Sequence, residues 1–270
     1  MKIRTIKRKK GFTLIELLVV IAIMVTLAGV GYPVITSMIV AGDRQAASEN
    51  LKQIGTALQT FKTDIKSYPS DATAKHPRLA RTAEKHGEVT GTTSNPYFRQ
   101  LFYKAKGGVT EENFYAALPN MVKGDNNTGV GETLKPGECA FSYVMLKPAD
   151  TAAATTGKAK GGKNKKAAAP VEESAYRPVT GGPIAFCGTT INAEPIPMAD
   201  ATFDLATFKG YAYAVTTDGS IVTMEEEAML EPIEGDDAIG RFISGMEPFP
   251  KRDGVSTIDN AVLFSPEPMQ

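Results

Sequence analysis

Cysteine and histidine are scarce in this sequence, and neither sign of charge predominates. The 270 residues include 2 Cys and 2 His, and 30 Lys and Arg balance 30 Asp and Glu. A chain of this length can bury a core without disulfides as staples. The neutral total excludes a highly basic nucleic-acid binder, and a hydrophobic share of 42% excludes a disordered tail.

The charges are segregated near the N-terminus. Residues 1–11 carry six bases and no acid, and the 26 residues from Leu17 to Gly42 contain no Asp, Glu, Lys or Arg. A helix needs about 20 apolar residues to cross a bilayer, whereas the apolar part of a cleaved secretory signal spans about 7 to 15. The run therefore predicts a membrane span. Its basic flank is expected to stay in the cytoplasm, with residues 43–270 outside.

One carboxylate, Glu16, stands near the head of this span. A charge at mid-bilayer costs about 2.5–3.5 kcal/mol, and less near the interface. Two explanations are open. Glu16 either reaches the headgroups, or it meets a positive group from another copy of the protein, for which a new α-amino group at Phe12 would serve.

Residues 9–17, with the sequence KKGFTLIEL, resemble the processing site of type IV pilins and type II secretion pseudopilins. The resemblance implies that a prepilin peptidase cleaves between Gly11 and Phe12 and methylates the amino group of Phe12. It implies that Glu16 is the assembly residue and pairs with a neighbour's N-terminus. The implied partners are other pilin or pseudopilin subunits, the lipid bilayer, and a membrane assembly platform with a cytoplasmic ATPase. No nucleic acid is required, and the implied location is the bacterial inner membrane, crossed once.

The apolar pattern predicts one long helix from Phe12 to about Lys66. Pro33 removes a backbone hydrogen bond within this helix, so we expect a kink there. The kink is either an ordinary feature of a transmembrane helix or has a specific role in assembly. Beyond the membrane, apolar residues recur at spacings of 4 and 3, which is a helical stripe. We expect the protein's own head to bury this stripe, in preference to a coiled coil. Its members are Ala47, Leu51, Ile54, Leu58, Phe61 and Ile65.

Residues 54–70 further resemble the major-pseudopilin branch of the family, in which the helix end and a Tyr-Pro turn precede the head. In that branch a calcium ion often orders a late loop, so calcium is expected by resemblance only, and no other cofactor is expected. The acids in turn-like sequence have no EF-hand spacing. They are Asp125, Asp218, Asp236 and Asp237.

The head is predicted to combine short helices with a small antiparallel sheet. Residues 70–95 are expected to form a loop with a helical turn or two. Asn95 is expected to cap a short helix with Pro96 in its first turn, and Thr110 to cap another. Predicted strands cover 141–146 and 183–187, a hairpin covers 211–215 and 220–224 through Asp-Gly, and a last short helix covers 238–244.

These elements define an α+β, pilin-like fold with a long N-terminal membrane-spanning helix. The expected parts are a leader at 1–11, the transmembrane half of the helix at 12–42, its extracytoplasmic half at 43–66, and a head at 67–270. Within the head, 150–170 is a low-complexity Ala/Gly/Lys segment expected to be a disordered loop. Its near match to a phosphate-binding loop lacks the required Ser or Thr, strand and helix.

The scarce reactive residues form no catalytic pattern. Cys139 and Cys187 lie beside predicted strands in an oxidising location, so a disulfide is permitted but not required. His76 and His86 have no metal-ligand spacing and are expected at the surface. No nucleophile and base are spaced as in known catalytic motifs, so we expect no enzyme.

Three hypotheses follow. The first is a structural subunit of a type II secretion pseudopilus, and the second is a pilin of a surface pilus for adhesion, motility or DNA uptake. The third is a membrane-anchored extracytoplasmic enzyme or binding protein whose N-terminus only mimics the motif.

Overall fold

The computed structural model describes residues 12–104, 108–126, 131–147, 176–243, 251–252, 255–256 and 260–269. The predicted leader at 1–11, with Gly11, and the predicted loop at 150–170 lie outside these ranges. The chain divides into two compact units, one ending at Gly42 and the other comprising Asp43–Gln270.

One long helix, α1, covers Leu14–Ile65, which confirms the helix predicted over 12–66. It ends where Lys66 adopts a left-handed conformation (φ 70°), while its N–H still donates to the carbonyl of Lys62 (2.8 Å). Pro69 lies shortly beyond this end, where a proline is common because it cannot continue a helix. The backbone remains helical through position 33, and the kink predicted at Pro33 stays a prediction.

Several short helices follow α1 at the beginning of the head. Residues 70–95 contain more helix than predicted, namely α2 (Asp71–Ala74), a 3-10 turn at Pro77–Leu79 and α3 (Ala80–His86). Next come α4 (Ser94–Arg99) and the 3-10 turns Gln100–Tyr103, Glu111–Phe114 and, later, Met198–Asp200. Thr110 occupies the predicted cap position, and its N–H donates to Asn113 Oδ1 (2.8 Å).

The predicted cap at Asn95 is wrong. Thr93 is the N-cap residue of α4, and Asn95 lies buried inside its first turn. Asn95 Nδ2 donates to the carbonyl of Leu134 (3.0 Å), and Asn95 Oδ1 accepts from the N–H of Glu267 (3.0 Å). Its side chain therefore joins α4 to two distant segments, which local sequence does not reveal.

The main sheet has seven strands, all paired antiparallel, in the order β4-β12-β1-β3-β6-β7, with β2 also paired to β1. The strands predicted at 141–146 and 183–187 and the hairpin at 211–225 are confirmed. Gly219 (φ 90°) supplies the left-handed residue in the turn of that hairpin. The strands are β1 (Phe141–Leu146), β2 (Arg177–Pro178), β3 (Pro183–Cys187), β4 (Ile196–Pro197), β6 (Tyr211–Thr216), β7 (Ile221–Glu225) and β12 (Ala261–Phe264).

A second, three-stranded sheet replaces the helix predicted at 238–244, which is wrong. It consists of β5 (Thr202–Asp204), β8 (Leu230–Ile233) and β9 (Asp236–Phe242), in the order β5-β9-β8. A pair of two-residue strands, β10 (Lys251–Arg252) and β11 (Val255–Ser256), makes a third sheet. Strand β9 pairs on both sides, so ladder hydrogen bonds satisfy its backbone, and these partners outweigh local helix propensity.

The head buries the stripe of α1, as expected. All six stripe residues are at most 8% exposed and belong to one core with the inner residues of β1, β3, β6 and β12. Polar contacts add to this packing at the turn between β6 and β7. Gln59 Nε2 (3.2 Å) and Tyr68 Oη (2.7 Å) both donate a hydrogen bond to the carbonyl oxygen of Thr217.

Gly55 lies where α1 closely approaches β6 of the main sheet. A Cβ added at Gly55 would lie 2.5 Å from Val215 Cγ2, well inside van der Waals contact. Glycine costs helix stability, but here it lets β6 pack against the helix. Gly42, in contrast, has no atom within 4 Å of the corresponding position.

Replacing Gly55 by alanine is expected to destabilise the head by about 1–3 kcal/mol, because overpacking outweighs the gain in helix propensity. The matched change Gly42→Ala should be neutral or stabilising by up to about 1 kcal/mol. Thermal unfolding of the full chain in detergent, followed by circular dichroism, measures both. Equal effects of the two changes would contradict this account of the packing.

Candidate functional site

The N-terminal end of α1 holds the predicted assembly residue in a defined arrangement. Glu16 Oε2 accepts hydrogen bonds from the N–H and from Oγ1 of Thr13, and both donor–acceptor distances are 2.8 Å. In return, the N–H of Glu16 donates to Thr13 Oγ1 (3.3 Å). This is a reciprocal capping box, so Thr13 both starts the helix and positions the carboxylate. The Thr-x-x-Glu spacing in the sequence is the local signal of this box, and it adds Thr13 to the predicted site residues.

The surface around this box is apolar and uncovered. Phe12, the expected new N-terminus, is 83% exposed, and large apolar side chains stay exposed along the helix as far as Ile39. Among the described residues, α1 is the helix long and apolar enough to cross a membrane, with a mean hydropathy of 2.6 in its most apolar window. None of that window is buried. An uncovered apolar surface of this extent is typical of a site of contact with lipid or with another protein.

Charge resumes at the start of the second unit, where an arginine packs on the head. The guanidinium of Arg44 lies 4.4 Å from the ring centre of Tyr211, at the beginning of β6. Such a cation–π contact stabilises by about 0.5–1 kcal/mol at exposed sites and more when desolvated. Arg44 Nε is buried and has no hydrogen-bond partner among the described residues. We did not foresee this contact, because its partners are far apart in the sequence.

Comparison with known proteins finds a matching family model and a similar protein. The family model described as "Prokaryotic N-terminal methylation motif" matches residues 6–32. The type II secretion system core protein G of Pectobacterium carotovorum subsp. carotovorum is 38% identical over 63 residues. These residues make up 23% of this chain and 40% of that protein, so the match spans less than half of the relative. No solved structure matches.

The long N-terminal apolar helix and the antiparallel sheet head are consistent with an α+β, pilin-like fold. The methylation motif and the similarity to a secretion-system core protein support the type IV pilin and pseudopilin family. The motif and the apolar helix together suggest a membrane-anchored subunit.

The other predicted site residues differ in what the structure shows. Gly11 lies outside the described residues. Cys139 and Cys187 are both buried free thiols in the core, and burial raises the pKa of the Cys139 thiol to about 12. Cys187 pairs across the sheet with Phe141, two residues beyond Cys139. The disulfide between them stays a prediction.

The surface position expected for His86 is wrong. His86 is 5% exposed, its ring lies 5.5 Å from that of Phe102, and its Nδ1 lies 2.8 Å from Thr133 Oγ1. Desolvation is the main cause that lowers its pKa, so the ring is held neutral at pH 7. His86 therefore acts in packing between α3 and the turn at Thr133.

The described residues contain no group of three or more His, Cys, Asp or Glu arranged to hold a metal ion. Asp218 Oδ1 already accepts from Thr216 Oγ1 and from the N–H of Ser220, and these bonds lower its pKa to about 2. Lys135 Nζ lies 3.2 Å from Asp125 Oδ2. Both carboxylates thus already have partners within the head, and calcium stays an expectation from the family resemblance.

A buried carboxylate in the head has an incomplete set of partners. Glu111 is 1% exposed, and its Oε1 accepts from the N–H of Leu134 (3.1 Å). Its Oε2 has no hydrogen-bond partner among the described residues. Burial raises the pKa of Glu111, the hydrogen bond from the N–H of Leu134 opposes this rise, and the nearby carboxylates of Glu138 and Asp125 add to it, so the net shift is upward.

We expect Glu111→Gln to stabilise the head at pH 7–8 by about 1 kcal/mol, because the amide removes the buried charge. The folded-state pKa of Glu111 is raised, so the cost of its charge is absent below the unfolded pKa of about 4.3 and grows as pH rises through the folded value. The gain should thus shrink towards pH 4.

Urea unfolding of the full chain between pH 4 and pH 8 measures this difference. The control is Glu112→Gln, since Glu112 is the exposed neighbour and its Oε1 accepts from Asn126 Nδ2, a bond that glutamine can keep. A gain that is independent of pH, or equal in the control, would show that the charge of Glu111 is not the cause.

Proposed function

We propose that this protein is a structural subunit of a type II secretion pseudopilus, without catalytic activity. In this proposal a prepilin peptidase cleaves between Gly11 and Phe12 and methylates Phe12. The subunit waits in the inner membrane with its head outside, and a membrane platform with a cytoplasmic ATPase adds it to a helical filament. The observation that carries the proposal is the methylation motif over residues 6–32, on a helix whose apolar surface is uncovered.

The capping box supports a specific role for Glu16. In the lone subunit, Thr13 satisfies one oxygen of Glu16 and leaves the carboxylate charged at the head of an apolar helix. The amino group of a neighbour's Phe12 would neutralise this charge, and in a low dielectric an unpaired charge is strongly unfavourable. The pair thus favours one axial register between neighbouring helices, and a repeated head-to-tail contact of this kind gives an open filament.

Processing is the first testable step. Intact mass and N-terminal sequencing of protein from cells with a prepilin peptidase should show a chain that begins at methylated Phe12. In cells without the peptidase, the same measurement should show residues 1–11 still attached. A chain that begins at Met1 in both cell types would contradict the proposal.

Assembly is tested separately by Glu16→Ala. We expect normal processing but a loss of filaments of tenfold or more, because a desolvated charge pair of even 1.4 kcal/mol per contact changes an association constant tenfold. The measurement is the amount of processed subunit in sheared and pelleted filaments. Glu49→Ala, which removes an exposed carboxylate from the second half of α1, is the control and should assemble normally. Normal filaments from Glu16→Ala would remove Glu16 from this role.

The alternative is a pilin of a surface pilus for adhesion, motility or DNA uptake. The methylation motif and the apolar helix are equally compatible with this function. A strain that lacks this protein decides between the two. Loss of protein secretion with surface pili intact supports the pseudopilus, whereas loss of pili, motility or DNA uptake with secretion intact supports the pilin. The similarity to a type II secretion core protein favours the first.

A further inference from the structure

The head contains a groove that the proposed role in assembly does not use. It has a volume of about 410 Å³, within the range of about 300–1,000 Å³ that is typical of ligand sites. Three regions form most of it, namely the segment after the Glu111–Phe114 turn, the residues that follow β3, and the edge between β5 and β9, and Ala140 and Pro266 complete it. All of them belong to the second compact unit.

The surface of the groove is mainly apolar and partly open to solvent. Leu118, Met121, Ile191 and Ile239 line it, and each is only partly buried. Ala238 on β9 also lines the groove. It is exposed, and its small side chain leaves the groove open to solvent. A contiguous apolar surface inside a concave site is unfavourable in water unless a ligand covers it.

The charged residues that line the groove are all acidic. They are Asp204, at the end of β5, and Asp236, at the start of β9, and no Lys, Arg or His of the described chain lines the groove. Neither carboxylate makes an ion pair with another described residue. A ligand for this surface must therefore combine an apolar stem with a positive charge.

Local hydrogen bonds hold both carboxylates in place without neutralising them. Asp204 accepts from the N–H of Thr207 (3.0 Å) and from its Oγ1 (2.7 Å), and Asp236 accepts from the N–H of Ala238 (3.1 Å). The positions of the two carboxylates are therefore set before a ligand binds, so binding does not incur the entropy cost of ordering these side chains.

We propose that the groove binds a lysine-bearing peptide segment of a partner protein. A lysine side chain lays its aliphatic stem on apolar surface and keeps its ammonium at a charged rim. Ile191 and Ile239 take the stem, and Asp204 and Asp236 take the ammonium. The exposed amide of Asn120, which also lines the groove, offers a donor and an acceptor to the peptide backbone. This inference does not depend on which filament the protein builds.

The test is fluorescence polarisation with the full chain in neutral detergent and two labelled pentapeptides, Ala-Lys-Ala-Lys-Ala and Ala-Gln-Ala-Gln-Ala. We expect the lysine peptide to bind at least threefold more tightly at 50 mM salt, with the preference reduced at 500 mM, as expected for partly exposed charges. Equal binding of the two peptides, or no binding of either at millimolar concentration, would overturn the proposal.

Variants locate the binding. Asp236→Asn keeps the acceptor for the N–H of Ala238 and removes the charge, and it should weaken the lysine peptide about threefold. Asp237→Asn removes an equal charge from the next residue, which does not line the groove, and should have no effect. Ala238→Phe fills the groove from an exposed strand position that tolerates an aromatic residue, and it should weaken binding tenfold or more.

Each variant must first show the circular dichroism spectrum of the unchanged protein, which confirms that it folds. If Ala238→Phe does not fold, Asp236→Asn alone tests whether the peptide binds in the groove. Equal weakening by Asp236→Asn and Asp237→Asn would show diffuse surface charge instead of a site, and so would overturn the proposal. Self-association of the unliganded chain that Ala238→Phe abolishes would assign the groove to a second copy, which also overturns it.

Discussion

The head depends on the burial of one face of α1 between Ala47 and Ile65. The members of this face recur every three or four residues and make one continuous ridge, against which β1, β3, β6 and β12 pack their inner side chains. Before Gly42 the same helix carries apolar residues on all sides, and most of its described side chains are exposed. One helix therefore carries two patterns, a one-sided pattern for a sheet and an all-round pattern for a bilayer or other helices. The change between them is the main constraint on this sequence.

The close approach at Gly55 follows from that constraint. Protein interiors are close-packed, and the missing side chain at Gly55 makes room for Val215. The hydrogen bonds from Gln59 and Tyr68 to Thr217 then fix the end of the same hairpin. Helix propensity is lost at one position so that packing is gained across the whole interface.

Elements with strong local signals could be predicted from the sequence, and elements that depend on distant partners could not. The stripe, the strand at 141–146 and the Asp-Gly hairpin each have periodicity or turn residues of their own. Strand β9 was mistaken for a helix because β5 and β8, which satisfy its backbone, are recognisable only once the chain is folded. The sequence does not reveal the positions of Asn95 and His86 for the same reason, since their partners Leu134 and Thr133 are 39 and 47 residues away.

The candidate site shows the same division. The motif around Gly11, Phe12 and Glu16 is local and could be read directly, and Thr13 could have been added from its spacing to Glu16. The contact of Arg44 with Tyr211 and the groove beside β9 could not, because each brings together segments that the sequence keeps far apart.

Cleavage after Gly11 would change the charge of the protein and the position of its α-amino group together. Removing six bases leaves 24 against 30 acids, so the processed chain would be negative overall. The new amino group would stand at the N-terminus of α1, where the helix dipole disfavours a positive charge and favours the carboxylate of Glu16. The capping box needs only the N–H and hydroxyl of Thr13, which cleavage leaves intact. Glu16 would thus remain held by its own helix, and the amine would gain most by meeting the carboxylate of a neighbour.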